Sequence, residues 1–338
     1  MHKKILPNET FFIAGASGMA GSAIHRSLLK HGYGDKKRGG KLLTPSRKDL
    51  DLLCNISVKN WFKKNQPTIV IIAAAKVGGI IANSDFPADF LIENLKIQTN
   101  IIEACWETNV KRLLFLGSSC IYPRNISLPI KEENLLTGPL EKTNECYAIA
   151  KIAGIKLIEA LNIQYKLDAI SLMPTNLYGP KDNYSDSNSH VMAAMIKRFY
   201  NAKELALNSV TCWGSGEPMR EFMFVDDLGE AVVFALERWY PNSSNAPIDE
   251  YGNPLYFLNV GTGSDIKIKD LAFLIAQKIG YEGEIIWDKS KPDGTPRKLL
   301  DISRINRLGW ESKISLENGI DETIKSFIIE KELDLLRY

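Results

Sequence analysis

The sequence predicts an α/β fold, a doubly wound parallel sheet with a smaller α/β region C-terminal to it. Three observations carry this reading. Short apolar runs alternate with helical patterns through the first half of the chain, the rhythm of successive β–α–β units. The runs TFFIAG, TIVIIAA and RLLFLG are continuously apolar rather than alternating, as strands covered by helices on both faces must be. The first of them ends in a glycine-rich turn that leads straight into a helical pattern.

In chain order, residues 10–15 make the first strand and 20–30 the helix behind it. Residues 41–44 are a second, short strand, 58–64 are helical, and 68–74 are the third strand. A long helix covers 86–108, with Pro87 at its start, where the missing N–H costs nothing. A fourth strand covers 112–117, a helix 144–165 and a fifth strand 169–173. The pattern then changes. Residues 176–189 are rich in Gly, Pro, Asn, Asp and Ser and read as a loop. A helix over 190–202, strands over 210–213 and 256–260 and a helix over 225–239 follow. The polar stretch 240–254 reads as a surface connection, and 271–280, 283–287 and 316–330 complete the smaller region. We expect residues 1–178 to form a dinucleotide-binding body of Rossmann type that also receives segments around 210–240 and 256–262. Residues 179–338 mostly form a second, interleaved body for substrate.

Of the 338 residues, 45% are hydrophobic and 24% charged, enough to bury a core. A net charge of +2 implies no nucleic-acid or membrane field, so a phosphate-bearing ligand requires local cations. The five cysteines (Cys54, Cys105, Cys120, Cys146, Cys212) contain no CxxC, and an odd, scattered set argues against a disulfide framework. The histidines His2, His25, His31 and His190 form no HExxH or HxxxH pair, so no metal site is expected. The longest apolar run, 68–82, is broken by Lys76, Gly78 and Gly79 and is too short to span a bilayer. A polar stretch interrupts the N-terminal residues, so no signal peptide is expected. Together these features lead to the expectation of a cytoplasmic protein.

Gly15-Ala16-Ser17-Gly18-Met19-Ala20-Gly21 follows a strand and opens a helix. Glycines there allow a tight turn and close approach of a pyrophosphate to the positive end of the helix. After the second strand the chain reads Thr44-Pro-Ser-Arg47-Lys48, without the acid that would hold an NAD ribose. Arg47 can instead grip a 2′-phosphate, which favours NADP(H). Tyr147 and Lys151 stand one helical turn apart on one face. A phenol with a pKa near ~10 is a poor proton donor or acceptor at neutral pH, and an adjacent ammonium is expected to lower that value. Ser118, at the end of the fourth strand, is placed to hydrogen-bond the substrate oxygen that receives the Tyr147 proton.

The segments GASGMAGSAI, AAAKVGGIIAN, PADF, LFLGSSCIYP, TNECYAIAKIAGIKL, MPTNLYGP, SNSHV, WGSGEPMREF, VDDL, NVGTG and KPDGTPRKLLD run in order through nearly the whole chain. Together they resemble the GDP-L-fucose synthase family of extended short-chain dehydrogenase/reductases. The resemblance implies NADPH-dependent 3,5-epimerisation and 4-reduction of a GDP-linked 4-keto-6-deoxy-mannose. It implies that Cys120 and His190 are the acid/base pair of the epimerisation, and that Tyr147, Lys151 and Ser118 serve the reduction. It implies cofactor contacts from Gly15 to Gly21, from Arg47, Asp51 and Leu52, from Leu116, Gly117, Ser118 and Ser119, from Lys151, from Pro174, Thr175, Asn176 and Leu177, and from His190. Arg198, Trp213, Arg220, Asp293 and Lys298 match the family's substrate positions. A homodimer joined through the helices at 86–108 and 144–165 is implied as well. The chain departs from the family at Ser17, where an arginine is frequent, which leaves Arg47 to carry the 2′-phosphate contact. The rival readings on this fold are a 4-reductase, a 4-epimerase and a 4,6-dehydratase acting on another nucleotide-linked keto-sugar. A non-catalytic NADP-binding protein is the rival from another class. A dehydratase would carry an Asp-Glu pair near Ser118, which is missing, and a pure reductase has no need of both Cys120 and His190.

Overall fold

The computed structural model describes residues 4–186, 189–291 and 293–338. The first half builds β1 (Thr10–Ala14), α1 (Met19–Lys30), β2 (Lys41–Leu43), α2 (Asn55–Asn65), β3 (Ile69–Ile72), α3 (Ile80–Asp85), α4 (Pro87–Glu107), β4 (Arg112–Leu116), α5 (Glu145–Tyr165) and β5 (Ala169–Pro174). The second half builds β6 (Asn176–Tyr178), α6 (Val191–Glu204), β7 (Ser209–Trp213), β8 (Met219–Phe224), α7 (Val225–Arg238), β9 (Phe257–Val260), β10 (Asp265–Lys267), α8 (Ile268–Ile279), β11 (Glu284–Asp288), β12 (Arg297–Lys298), α9 (Ser303–Leu308) and α10 (Leu316–Glu332).

Six strands pair in the order β2-β1-β3-β4-β5-β9, all parallel. Successive side chains along a strand point to opposite faces, and the core divides accordingly. Phe12, Val70 and Phe115 pack with Ile101 of α4 and Ile155 of α5 on one face. Phe11, Ile13, Ile71 and Leu114 pack with Ile24 of α1 and Val232 and Leu236 of α7 on the other. The order reverses between β1 and β3, where an open α/β sheet leaves a crevice at its C-terminal edge.

A third core lies apart from this sheet. Met192, Ile196 and Phe199 of α6, Leu271 and Ile275 of α8 and Ile320 and Phe327 of α10 close on Cys212, Phe222 and Phe224. Residues 176–189, expected as a loop, begin instead with the strand β6, which pairs in parallel with β8. Polar, Gly- and Pro-rich sequence hid a three-residue strand whose pairing partner lies 46 residues along the chain (Asn176 with Phe222). β8 itself gave no sequence signal. It holds the centre of a second small sheet by pairing with β6, β10 and β12. Within 210–240, α7 packs on the large sheet, whereas β7 pairs with β11 in a two-stranded ribbon.

Candidate active site

The chain leaves β1 through Gly15, whose φ of +87° is left-handed, and a Cβ there would lie 2.8 Å from the Ala74 Cα. Only glycine meets both conditions. Gly18 closes the turn by donating its N–H to the Gly15 carbonyl at 3.0 Å and serves as N-cap of α1. A Cβ on Gly21 would fall 2.6 Å from the Gly15 carbonyl carbon and 2.8 Å from the Ala16 Cα. The turn is therefore as tight as backbone permits, and it brings the positive end of α1 up to the crevice. Ala16, Met19 and Ala20 complete this cradle, and Ser17 is exposed on it. A cradle that any side chain would fill fits a dinucleotide pyrophosphate.

The turn after β2 leaves Arg47 exposed and, among the described residues, without an ion pair. Asp51 is turned toward its own backbone, accepting the Leu53 N–H at 2.9 Å, and Leu52 packs on the core. Across the crevice, Leu116, Gly117 and Ser119 are buried at the end of β4, and Pro174 and Thr175 at the end of β5. Gly117 lies so close to Met173 that a Cβ would overlap its sulfur. Thr175 and Asn176 donate to the Glu221 carbonyl at 3.2 and 2.8 Å, tying this edge to β8, while Leu177 packs toward the second face of the large sheet.

Ser118 follows β4 and caps a short turn, accepting the Cys120 N–H at 3.2 Å. This presents Cys120 to the crevice. Tyr147, near the start of α5, hydrogen-bonds Ser118 and meets the edge of Phe90 at 6.5 Å between ring centres. Lys151 is buried one turn on, with Nζ donating to the Leu116 carbonyl at 2.9 Å and 5.8 Å from the centre of the Tyr147 ring. Burial brings Lys151 down to about 7. Tyr147 is pushed up from the ordinary phenol value, first by burial and then by the charge of Cys120, against the pull of the Ser118 hydrogen bond. This reverses the expected direction. The lysine gives its hydrogen bond to a carbonyl, and desolvation of the phenolate outweighs its remaining attraction. The consequence is a phenol that stays protonated, the form that can donate a proton.

His190 caps α6 with extended backbone and is exposed to solvent. Desolvation by the surrounding protein lowers its imidazole from the usual value. Among the described residues no hydrogen bond joins its ring to Cys120 or Tyr147. Ser187 and Asn188 of SNSHV, Pro292 of KPDGTPRKLLD and His2 lie outside the described residues.

On the substrate side, the Arg198 guanidinium lies 5.0 Å from the centre of the half-exposed Trp213 ring, and Lys291 Nζ lies 5.5 Å from it. A flat apolar face framed by two cations suits a nucleotide base and its phosphates. Asp293 accepts the Ser215 N–H at 2.7 Å and its hydroxyl at 2.8 Å, so it shapes the turn beside Trp213. Arg220 donates to the Met219 carbonyl at 2.8 Å and pairs in register with Lys298 across β8 and β12. Among the described residues Lys298 makes no ion pair, and its Nζ lies 3.7 Å from Cys120 Sγ. Cys120 and Lys298 line a cleft that also takes in Glu141 and Thr295.

Two residues of this region had no sequence signal. Glu141 accepts from Arg124 at 3.2 Å and from Thr295 at 3.3 Å within the cleft. Arg337 reaches the glycine turn from the far end of the chain: its Nη1 donates to the Lys181 carbonyl at 3.0 Å and lies 3.6 Å from where a Gly18 Cβ would be. No local spacing announces a contact made by the tertiary fold alone.

The model of the NAD dependent epimerase/dehydratase family matches residues 11–246. The chain is 48% identical to the GDP-L-fucose synthase of Escherichia coli K12, over 96% of this chain and 98% of that one. It is also 48% identical to the probable GDP-L-fucose synthase 1 of rice, over 94% and 91%. It superposes with a TM-score of 0.83 and 34% identity on a GDP-mannoheptose C4 reductase of Campylobacter jejuni with NADP bound, covering 96% of this chain and 99% of that one. The chain belongs to the NAD dependent epimerase/dehydratase family.

Proposed function

We propose that this family member converts GDP-4-keto-6-deoxy-D-mannose to GDP-L-fucose by inverting carbons 3 and 5 and reducing carbon 4, with NADPH as reductant. The observation that carries it is the convergence of Cys120, Ser118 and Tyr147 on one crevice beside the glycine cradle. A ketone acidifies the C–H bonds on both sides of it, and inversion needs a base on one face of the enolate and an acid on the other. Cys120 and His190 supply that pair. For each inversion a C–H bond breaks toward one of them, its electron pair enters the enolate, and a new C–H bond forms with a proton from the other.

Held at the cradle by Gly15 to Gly21, NADPH would supply the hydride for carbon 4. Tyr147 gives its hydroxyl proton to the oxygen at that carbon and regains one from solvent, Ser118 hydrogen-bonds the same oxygen, and Lys151 holds the nicotinamide ribose. Gly15 through Gly21 and Arg47 hold the pyrophosphate and the 2′-phosphate, with Asp51 and Leu52 shaping the adenosine end. Leu116–Ser119, Pro174–Leu177 and His190 line the nicotinamide side. Arg198, Trp213, Arg220, Asp293 and Lys298 hold or shape the GDP-sugar site. In this reading residues 1–178 are chiefly the cofactor body and 179–338 chiefly the substrate body, interleaved at α7 and β9.

Two further assignments belong to this reading. Exposed Ile92 and Trp106 on α4 and Ile149, Ile163 and Tyr165 on α5 support a homodimer through those helices, because a monomer gains nothing by leaving them in water. Five free thiols support a reducing, cytoplasmic setting. No helix among the described residues is long and apolar enough to cross a membrane. The test is incubation with GDP-4-keto-6-deoxy-D-mannose and NADPH, with the product sugar identified by NMR. GDP-L-fucose is expected. A 6-deoxy-D-talose or D-rhamnose product alone would remove the epimerase half and leave the C4 reductase reading.

A further inference from the structure

Glu221 follows Arg220 on β8 and is wholly buried, yet among the described residues no lysine or arginine pairs with it. Its carboxylate instead accepts three backbone N–H groups: Thr262 at 2.7 Å and Gly263 at 2.8 Å on Oε1, and Leu300 at 3.0 Å on Oε2. The turn after β9 is shaped for this approach, since a Cβ on Gly261 would lie 2.1 Å from Oε1. Burial pushes the Glu221 carboxyl up from its usual value, and the three N–H groups pull against that. A buried carboxylate persists only where hydrogen bonds replace its water, so each of these ties matters to the segment that supplies it.

The bond to Leu300 has its reason in the strand ladder. Arg297 and Lys298 of β12 pair in parallel with Met219 and Arg220, and Met219 donates its N–H to the Pro296 carbonyl at 2.8 Å. Continued one step, that pattern would give the Leu300 N–H to the Glu221 carbonyl. The carbonyl is taken: Thr175 and Asn176, at the cofactor edge where β5 passes into β6, donate to it at 3.2 and 2.8 Å. The Glu221 side chain accepts the Leu300 N–H in its place. One residue therefore ties down the cofactor edge through its carbonyl and the strand bearing Lys298 through its carboxylate. Residues paired in register share a face of the sheet, so Arg220 and Lys298 stand side by side, while Glu221, next along β8, points the other way.

We propose that Glu221 is a positioning residue for the GDP-sugar: by clamping β12 just beyond Lys298, it holds Lys298 beside Arg220 and fixes both cations relative to the cofactor edge before any ligand arrives. Two cations held at a set spacing suit a diphosphate, which then binds without the cost of ordering them. Glu221 touches neither ligand and acts through the strand. This role rests on the assignment of Arg220 and Lys298 to the GDP-sugar, and the experiment separates the two.

The experiment measures GDP binding to the NADPH-bound protein by calorimetry, and NADPH binding by fluorescence, in the wild type, Glu221→Gln, Lys298→Met and the double variant. Glutamine keeps one oxygen for Thr262 and Gly263 and turns its NH2 toward the Leu300 N–H, so only the tie to β12 is lost. Loss of a hydrogen bond to a charged group predicts about tenfold weaker GDP binding in Glu221→Gln, with NADPH affinity unchanged. Lys298→Met weakens GDP as well, and the double variant loses less than the two single losses combined, because Glu221 acts through Lys298. Hydrogen exchange of the wild type needs no variant: the Leu300 amide is expected to be protected before GDP is added. Rapid exchange there that only GDP suppresses would overturn the proposal. So would equal losses of GDP and NADPH affinity in Glu221→Gln, the mark of a general structural role, or a GDP affinity unchanged in Glu221→Gln but lowered in Lys298→Met. GDP binding indifferent to both Lys298→Met and Arg220→Met would defeat the substrate assignment itself, and the proposal with it.

Discussion

Replacing Lys151 by Met should stabilise the cofactor-free protein while abolishing the reduction. A buried lysine brought from 10.5 to about 7 carries a penalty on its charged form of roughly 5 kcal/mol at low pH. The sign follows from proton counting. Between about pH 7 and pH 10.5 the unfolded chain binds this proton and the folded chain does not, so wild-type stability rises with pH across that window. Below about pH 7 both states bind it and the full penalty stands. Methionine has no proton to lose and fills the same space next to Phe115 and Leu116. From about pH 7 to about pH 9 the wild type should therefore gain about 2 kcal/mol relative to Lys151→Met, or about 3 °C in melting temperature for a chain of this size. The assay is thermal unfolding of both proteins across that pH range, beside NADPH oxidation by GDP-keto-sugar, which should fall about 100-fold or more in the variant. Parallel pH–stability curves would refute the burial argument, and a variant that still reduces would refute the role of Lys151.

Three other outcomes follow from the same geometry. Tyr147→Phe should lose about 1,000-fold in NADPH oxidation and keep solvent deuterium exchange, since the proton it donates belongs only to the reduction; loss of exchange as well would fuse the two half-reactions onto one residue. Gly21→Ala, whose methyl would meet the Gly15 and Ala16 backbone, should raise the NADPH dissociation constant at least tenfold, read by nucleotide fluorescence with circular dichroism to confirm folding. Arg337→Ala should raise the KM for NADPH about threefold to tenfold with kcat unchanged, and an unaltered KM would confine Arg337 to its contact with the Lys181 carbonyl.

Much of the dinucleotide half was legible in the sequence because its signals are local. A strand buried on both faces is a continuous apolar run, and the turn after β1 can be built only from small residues, so TFFIAG and Gly15 to Gly21 announce themselves. The substrate half was less legible. β8 spends its hydrogen bonds on β6, β10 and β12, strands of two or three residues whose partners are distant in sequence. Periodicity has no purchase on so short a strand, which is why Asn176–Tyr178 read as loop. Within the site, Tyr147 and Lys151 were visible as a helical pair, but their electrostatics were not. Whether the lysine charges the phenol or gives its donor to the Leu116 carbonyl depends on depth and neighbours. Arg337 at Gly18 and Lys298 at Cys120 were beyond reach for the same reason, since each contact joins residues more than 170 apart in sequence.

The account stands on a single crevice in which two carbons are inverted and a third is reduced. Turnover of GDP-4-keto-6-deoxy-D-mannose in deuterated water, with the product read by NMR, measures this directly. Deuterium at both carbon 3 and carbon 5 of an L-fucose product is the predicted result. A reduced sugar with hydrogen at both positions would contradict it.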